Sequence, residues 1–183
     1  LTAYTKYLSK DAVYCNDREL APGSTYSTSS EFNYASYGRL DTNKTPTYNC
    51  TNNKDAFSGS NSEAKLTYPI GLMTADEIAF AGGVAHIEMN TPYAWYYTNA
   101  NGESIIENTV WWSLSPSAWS ESVSRVWVAM VTGFPGVFTN GSYVGDVSYG
   151  ARPAISLKTC VKTSGGDGSA EKPYTILETS SGC

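Results

Sequence analysis

One histidine, His86, stands in the whole sequence, so any Ser-His-Asp or Cys-His hydrolase chemistry would have to use it. Ser113 or a cysteine would then be the nucleophile. The surroundings argue otherwise. There is no G-x-S-x-G elbow, and the stretch around His86, "GVAHIEMNTP", reads as a loop. Nucleophile, base and orienting group cannot all be named, so the chain is read as non-catalytic. Metal chemistry fares no better. "GGDGS" at Gly165–Ser169 is a faint match to calcium-binding glycine–aspartate repeats, but one copy with one carboxylate, Asp167, reads as a turn. No cofactor and no metal are expected.

The four cysteines, Cys15, Cys50, Cys160 and Cys183, carry the next chemistry. An even count at wide spacing, with few lysines and many serines and threonines, points to an oxidised, extracellular or cell-surface domain. Four cysteines allow three pairings. Cys15 with Cys50 and Cys160 with Cys183 is the favoured one, because each bond joins neighbours along the chain and the second staples a tail ending in "SSGC". A zinc site is the rival, weakened by the absence of any C-x-x-C spacing. Free buried cysteines remain the bland reading.

Recognition chemistry is better represented. Trp112, Trp119, Trp127, Phe134, Phe138, Tyr143 and Tyr149 form the candidate ligand-binding surface, where rigid rings would stack on sugars or anchor a protein partner. The bland reading is that about half of them are core, since one face of "SRVWVAMVT" must be buried. Phe134 and Phe138 flank a turn and are the ones expected at the surface. Arg152 has two readings. It could contact a carbohydrate or carboxylate ligand, or it could be a buried framework residue paired with a carboxylate such as Asp76 or Glu77.

Bulk composition agrees with a contact surface. Of 183 residues, 41% are apolar and only 16% charged, while Tyr occurs 14 times and Trp five. The surface must therefore be covered largely by Ser, Thr, Asn, Gly and Tyr. Strand-rich folds also favour aromatics, which is the plainer explanation. The net charge of −5 and the lack of any basic run make nucleic acid and anionic membranes poor partners. No stretch is long and apolar enough for insertion into a bilayer. The chain begins at Leu1 without Met and shows no signal peptide, so a processed or trimmed product is expected.

The elements that would position these residues follow from pattern. Leu1, Tyr4, Tyr7 and Leu8 have helical spacing, which predicts that residues 1–13 are the end of a helix. Residues 21–62 read as a long, aromatic-rich excursion with short strands, held by Cys15–Cys50 if that bond exists. "YPIGLMTADEIAFAGG", Tyr68–Gly83, predicts a short strand and then a helix. Thr74 is its N-cap, Glu77 completes a capping box, and Gly82-Gly83 is the stop. Its glycines follow the helix, so this is no phosphate loop. "NTVWWSLSP", "SRVWVAMVT", "SYVGDVSYG", "ARPAISLK" and "YTIL" predict strands, with hairpin turns at Asn101-Gly102 and around Pro135-Gly136. Residues 159–183 form a tail with a glycine-rich loop and a last strand. The class is α+β, in one domain spanning 1–183.

In this order, "YCNDREL", "YPIGLMTADEIAFAGG", "WWSLSPSAW", "YGARPAISLK" and "GGDGSAEKPYTI" resemble the C-terminal half of DUF6273-type bacterial surface-protein domains. That group is similar in turn to the C-type-lectin-like fold of formylglycine-generating-enzyme-like domains and phage variable receptor-binding proteins. The resemblance covers about Tyr14 to Leu177 and is strongest in Tyr68–Gly83 and "GARPAISL". It implies small twisted antiparallel sheets braced by the capped helix, with ligands met between Trp111 and Tyr149. It also implies a framework role for Arg152. It does not carry the enzymes' activity, because no matching copper-binding cysteine pair is present. Nor do Glu88-Met89-Asn90 and Asn90-Thr91-Pro92 reproduce the calcium-dependent sugar site of C-type lectins. The expected function is a non-catalytic adhesin or receptor-binding module for a cell-surface protein or glycan. The alternative is a pilin-like or filament subunit whose partners are like subunits.

Overall fold

The computed structural model describes residues 3–88, 110–120, 122–130, 137–146, 148–169 and 172–183. The architecture is mostly antiparallel sheet with a few short helical turns and two disulfides, an α+β arrangement. Its centre is a five-stranded sheet. β2 (Phe32–Asn33), β5 (Trp111–Ser120), β6 (Val123–Ala129) and β7 (Phe138–Tyr143) pair in that order, and β8 (Gly150–Ala151) lies parallel against β5. Smaller pairs surround it: β1 (Tyr14–Cys15) with β3 (Ala56–Phe57), β4 (Ile70–Leu72) with β9 (Pro153–Ile155), and β10 (Thr163–Gly165) with β11 (Thr175–Ile176). Gly71 in β4 is needed where it stands, because a Cβ there would lie 2.5 Å from the Tyr14 ring.

β5, β6, β9 and β11 overlap the segments predicted as strands, whereas "SYVGDVSYG" turns at residues 144–145 and β7 lies mostly ahead of it; β5 is reversed in polarity. Its buried residues include Trp111, Ser113, Ser115 and Ser117, while Trp112, Leu114 and Pro116 are only half-buried. Buried hydroxyls must find partners. The Ser113 hydroxyl donates to the Trp127 carbonyl at 2.7 Å, and that of Ser117 to the Asn140 carbonyl at 2.7 Å. Ser115 Oγ accepts from the Ala75 N–H at 2.9 Å. The serines thus satisfy backbone groups freed by the bulges of β5 and β6 and by the helix start. On β6, the question of which face is buried is settled for Trp127 and Ala129. They join Trp111, Phe138, Leu40, Ala75, Ile78 and Ala85 in one core cluster.

The helix of the Tyr68–Gly83 segment is α2, Ala75–Phe80. The Glu77 N–H donates to Thr74 Oγ1 at 3.0 Å, and the Thr74 N–H donates to Glu77 Oε2 at 2.7 Å, completing the capping box. At the other end Gly82 takes φ +100°, its N–H donates to the Ala79 carbonyl, and the Gly83 N–H donates to that of Ile78. That pair of bonds is a Schellman stop. Thr74→Ala should therefore lower stability by about 1 kcal/mol, read as a shift of the denaturation midpoint. Thr74→Ser should recover most of it.

Two expectations change. Residues 3–13 do not form the end of a helix: one 3-10 turn, Thr5–Tyr7, closes, and Leu8 then bridges Leu157 as a strand would. Helical spacing here serves burial instead, with Tyr7 and Leu8 both in the interior. The excursion of 21–62 is more ordered than its composition suggests. α1 (Ala35–Tyr37) runs into a π-helical turn, Gly38–Thr42, which sends Leu40 into the core. The tail folds back onto the start of the chain. The Lys6 ammonium donates to the Thr179 carbonyl at 2.6 Å, and the Tyr7 hydroxyl exchanges bonds with Thr179 at 2.8 and 3.0 Å.

Candidate functional site

Both disulfides join the favoured partners, Cys15 with Cys50 and Cys160 with Cys183, at Cα separations of 5.7 and 5.5 Å. The first fastens β1 to Cys50 within the excursion; the second closes the tail, which Thr179 ties to Tyr7. Two such bonds fit an oxidising, extracellular setting. Among the described residues no helix is long and apolar enough to cross a membrane, and no group of three or more His, Cys, Asp or Glu is placed to hold a metal ion.

The aromatic candidates divide. Trp127 and Phe138 are not surface residues: they are 0% and 1% exposed, with ring centroids 5.3 Å apart in the core. Phe138 pairs with the buried Ala129, which pairs in turn with Trp111, and Trp127 shares the face of Ala129 two positions back along β6. Phe138 was the residue expected outside because a turn precedes it; its strand parity decides otherwise. Phe134 lies outside the described residues, as do the Asn101-Gly102 turn and Asn90-Thr91-Pro92.

Trp112 and Tyr149 do come together. Their ring centroids are 4.8 Å apart on the sheet face opposite the core, and the Ser142 hydroxyl lies 3.4 Å from the Tyr149 oxygen. The turn before Tyr149 is held by Asp146, whose Oδ1 accepts from the Ser148 hydroxyl at 2.6 Å and the Ser148 N–H at 2.9 Å. Those two bonds hold its carboxyl below the usual range, with a smaller contribution from Tyr149. Tyr143 stands apart. It is 44% exposed and directly opposite Arg125 on β6, with the guanidinium carbon 4.7 Å from its ring centroid. Strand alternation puts Arg125 and Tyr143 on the other face from Val126 and Ser142. Trp119 is seven positions along β5 from Trp112, about 23 Å at the usual rise. It pairs with Phe32, which packs edge-on against Tyr26 and Tyr34 with both centroids at 5.5 Å. The surviving candidates therefore form three small aromatic sites along the sheet.

Arg152 does not meet either of the carboxylates expected for it, Asp76 or Glu77. Its guanidinium carbon lies 5.5 Å from the centroid of the buried Trp111 ring. Glu77 is engaged in the cap, and Asp76 is paired with Arg39. Arg39 was not singled out by the sequence. From the π-helical turn it donates through Nε to Asp76 Oδ1 at 2.8 Å and through Nη2 to Asp76 Oδ2 at 2.7 Å, and it also bonds Asp17. Asp76 Oδ1 accepts the Thr47 N–H as well, at 2.8 Å. Burial alone would lower the guanidinium's pKa; the bonds and charges of Asp76 and Asp17 outweigh that and hold it above its ordinary value. Nothing local in "YGRLDT" marks this arginine. A nearby signal was Asp76 in the first turn of a capped helix, a buried carboxylate that needs a cation.

His86 and Ser113 are not brought together as a nucleophilic pair. The Ser113 hydroxyl is committed to the Trp127 carbonyl. His86 sits with φ +62°, its Nε2 3.0 Å from Asp41 Oδ1 and its Nδ1 3.4 Å from Thr139 Oγ1. Asp167 forms a turn, accepting the Ser169 N–H at 3.0 Å between β10 and β11.

Comparison with protein-family models, curated proteins and solved structures finds no match to this chain.

Proposed function

We propose that this chain is a non-catalytic extracellular recognition module of C-type-lectin-like architecture, which meets a cell-surface protein or glycan through the aromatic outer face of its central sheet. The observation that carries the reading is the Trp112–Tyr149 pair. Two large rings are held 4.8 Å apart on the face away from the core, one on β5 and one on a turn braced by Asp146. Rings presented on a rigid strand give contact area at low entropic cost. The antiparallel sheet braced by a capped helix supports the lectin-like reading, as do the two disulfides. The non-catalytic reading is supported by the commitment of the Ser113 hydroxyl to the Trp127 carbonyl, while the His86 ring nitrogens face Asp41 and Thr139.

The test is retention of the purified chain on a glycan array and on whole-cell surfaces, with Trp112→Ala/Tyr149→Ala as the comparison. Both residues are half-buried, and Trp112 pairs with the buried Val128, so circular dichroism of the double variant accompanies the binding test and a folded variant is the comparison. Wild-type retention that falls at least about tenfold in the variant is the expected result, since hot spots of this kind each carry about 2 kcal/mol or more. Retention unaffected by the substitutions would remove the site. A chain that binds neither surface and instead grows ordered polymers would establish the filament subunit in its place.

A further inference from the structure

Where α2 ends, the core is not closed. Leu40, Ala85 and Phe138, each 2% exposed or less, form the floor of an open pocket of about 210 Å³. Small residues leave that space. Ala79, Gly83 and Ala85 line it and contribute no side-chain atom beyond Cβ. Protein interiors hold few voids larger than a water molecule, because walls without a partner forfeit their dispersion contacts. An apolar occupant of this pocket would recover them.

The walls are fixed. Pro46 precedes Thr47, whose N–H donates to Asp76 Oδ1 at 2.8 Å, and Tyr48 then stacks on Phe80 with ring centroids 4.0 Å apart. Those two contacts pin the segment 46–48 to α2, the helix that carries Ala79. The Gly83 N–H donates to the Ile78 carbonyl and the His86 N–H to the Phe138 carbonyl, both at 3.0 Å, so residues 83–86 are fastened to α2 and to β7. Binding here orders little that is not already ordered.

We infer that this pocket binds a small apolar carboxylic acid, with an aromatic ring or branched chain over Leu40 and Phe138 and the carboxylate on the Lys44 ammonium. Size sets the apolar part. A dry cavity of about 150 Å³ takes a benzene ring, so this one holds a ring with a short arm but no second ring. Charge sets the head group. Lys44 is the one ionisable residue among those lining the pocket. Its Nζ donates to the Ala85 carbonyl at 3.2 Å, which holds the ammonium against a residue of the floor. An ammonium has three donors, and among the described residues no carboxylate lies within ion-pair distance of this one. Asp41, the acid beside Leu40, turns its Oδ1 to His86 Nε2 at 3.0 Å and does not line the pocket. An anion therefore finds donors at the pocket, and a cation is repelled. The backbone at Lys44 is unusual as well. It takes φ +54°, between the N–H bonds of Asn43 to the Gly38 carbonyl and of Thr45 to the Arg39 carbonyl, both 2.9 Å. A lysine holds that left-handed conformation at a cost.

Amide chemical-shift titration of the whole chain tests this, followed at Gly83, Ala85 and Lys44. The probes are phenylacetate, isovalerate, the neutral isostere phenylacetamide and the cation 2-phenylethylammonium. At least one acid should give saturable shifts at millimolar concentration, with the neutral isostere weaker and the cation weakest. Lys44→Met, at an exposed position, should weaken the acid about threefold, as befits a solvated ion pair, and leave phenylacetamide as it was. Ala79→Leu puts a side chain into the space and should abolish binding of every probe, with its fold read from the remaining amide signals. No saturable shift from either acid overturns the inference. Equal binding of acid and cation does the same, as does an acid affinity that Lys44→Met leaves unchanged. Binding kept by a folded Ala79→Leu would place the ligand elsewhere and overturn it too.

Discussion

Arg39→Ala is expected to destabilise the protein by about 3–5 kcal/mol, the largest effect of any single charged residue among those described. The reason is geometric. Arg39 is 17% exposed and binds Asp76, 6% exposed, through two parallel N–H donors, while a third contact reaches Asp17. Removing the guanidinium leaves two carboxylates facing each other across a poorly hydrated space. One of them lies in the first turn of α2 and also fixes the Thr47 N–H. Removing the charge and one of the two acceptor oxygens, as in Asp76→Asn, should cost less than Arg39→Ala, because Arg39 retains Asp17. Arg39→Lys should not rescue, since an ammonium cannot reproduce the paired geometry. Chemical denaturation of the set checks this; an Arg39→Ala midpoint equal to wild type would mean the network is decorative.

The second large effect is expected at Cys15 and Cys50. Opening a loop of 35 residues should cost about 4 kcal/mol on the chain-entropy account, when Cys15→Ser and Cys50→Ser are combined. Position matters as well as loop length. The bond spans the segment that carries Arg39, Leu40, Thr47 and Tyr48, so its loss frees an ion-pair partner, a core residue and the aromatic stack together. Cys160→Ser/Cys183→Ser should cost less. Its loop is 23 residues and mostly exposed, tied independently by Lys6 and Tyr7 to Thr179. Thermal unfolding of both double variants under non-reducing conditions reads the difference. Equal losses would show that loop closure alone, not what the loop holds, sets the contribution.

What could be read from the sequence was local. The capping box needs only Thr74 and Glu77 at the right spacing, and the glycine stop needs only Gly82-Gly83, so both were legible. β5, β6, β9 and β11 were legible because strand pattern is a property of a few consecutive residues, whereas β7 lies mostly ahead of the segment expected and β10 in an expected loop. Orientation was not. On β5 the serines face inward and Trp112 outward, because bulges and a helix start supply backbone groups that only hydroxyls can satisfy. A pattern that normally places polar residues in water was inverted by partners in distant elements. Trp127 and Phe138 were misjudged for the same reason: register with neighbouring strands, not the nearby turn, decides burial. The Arg39–Asp76 pair joins residues 37 apart, and the Tyr48–Phe80 stack joins a loop to a helix end. Neither leaves a mark in any short window.

The recognition reading rests on the outer face of the central sheet, and hydrogen exchange addresses it most directly. Exchange would be followed for the free chain and for the chain bound to whichever glycan or cell surface retains it. The account expects slowed exchange in β7 and in residues 148–151 around Tyr149, with the 172–183 tail unchanged. Slowed exchange that appears without any surface, and grows only with protein concentration, would contradict it and leave the chain an assembly subunit.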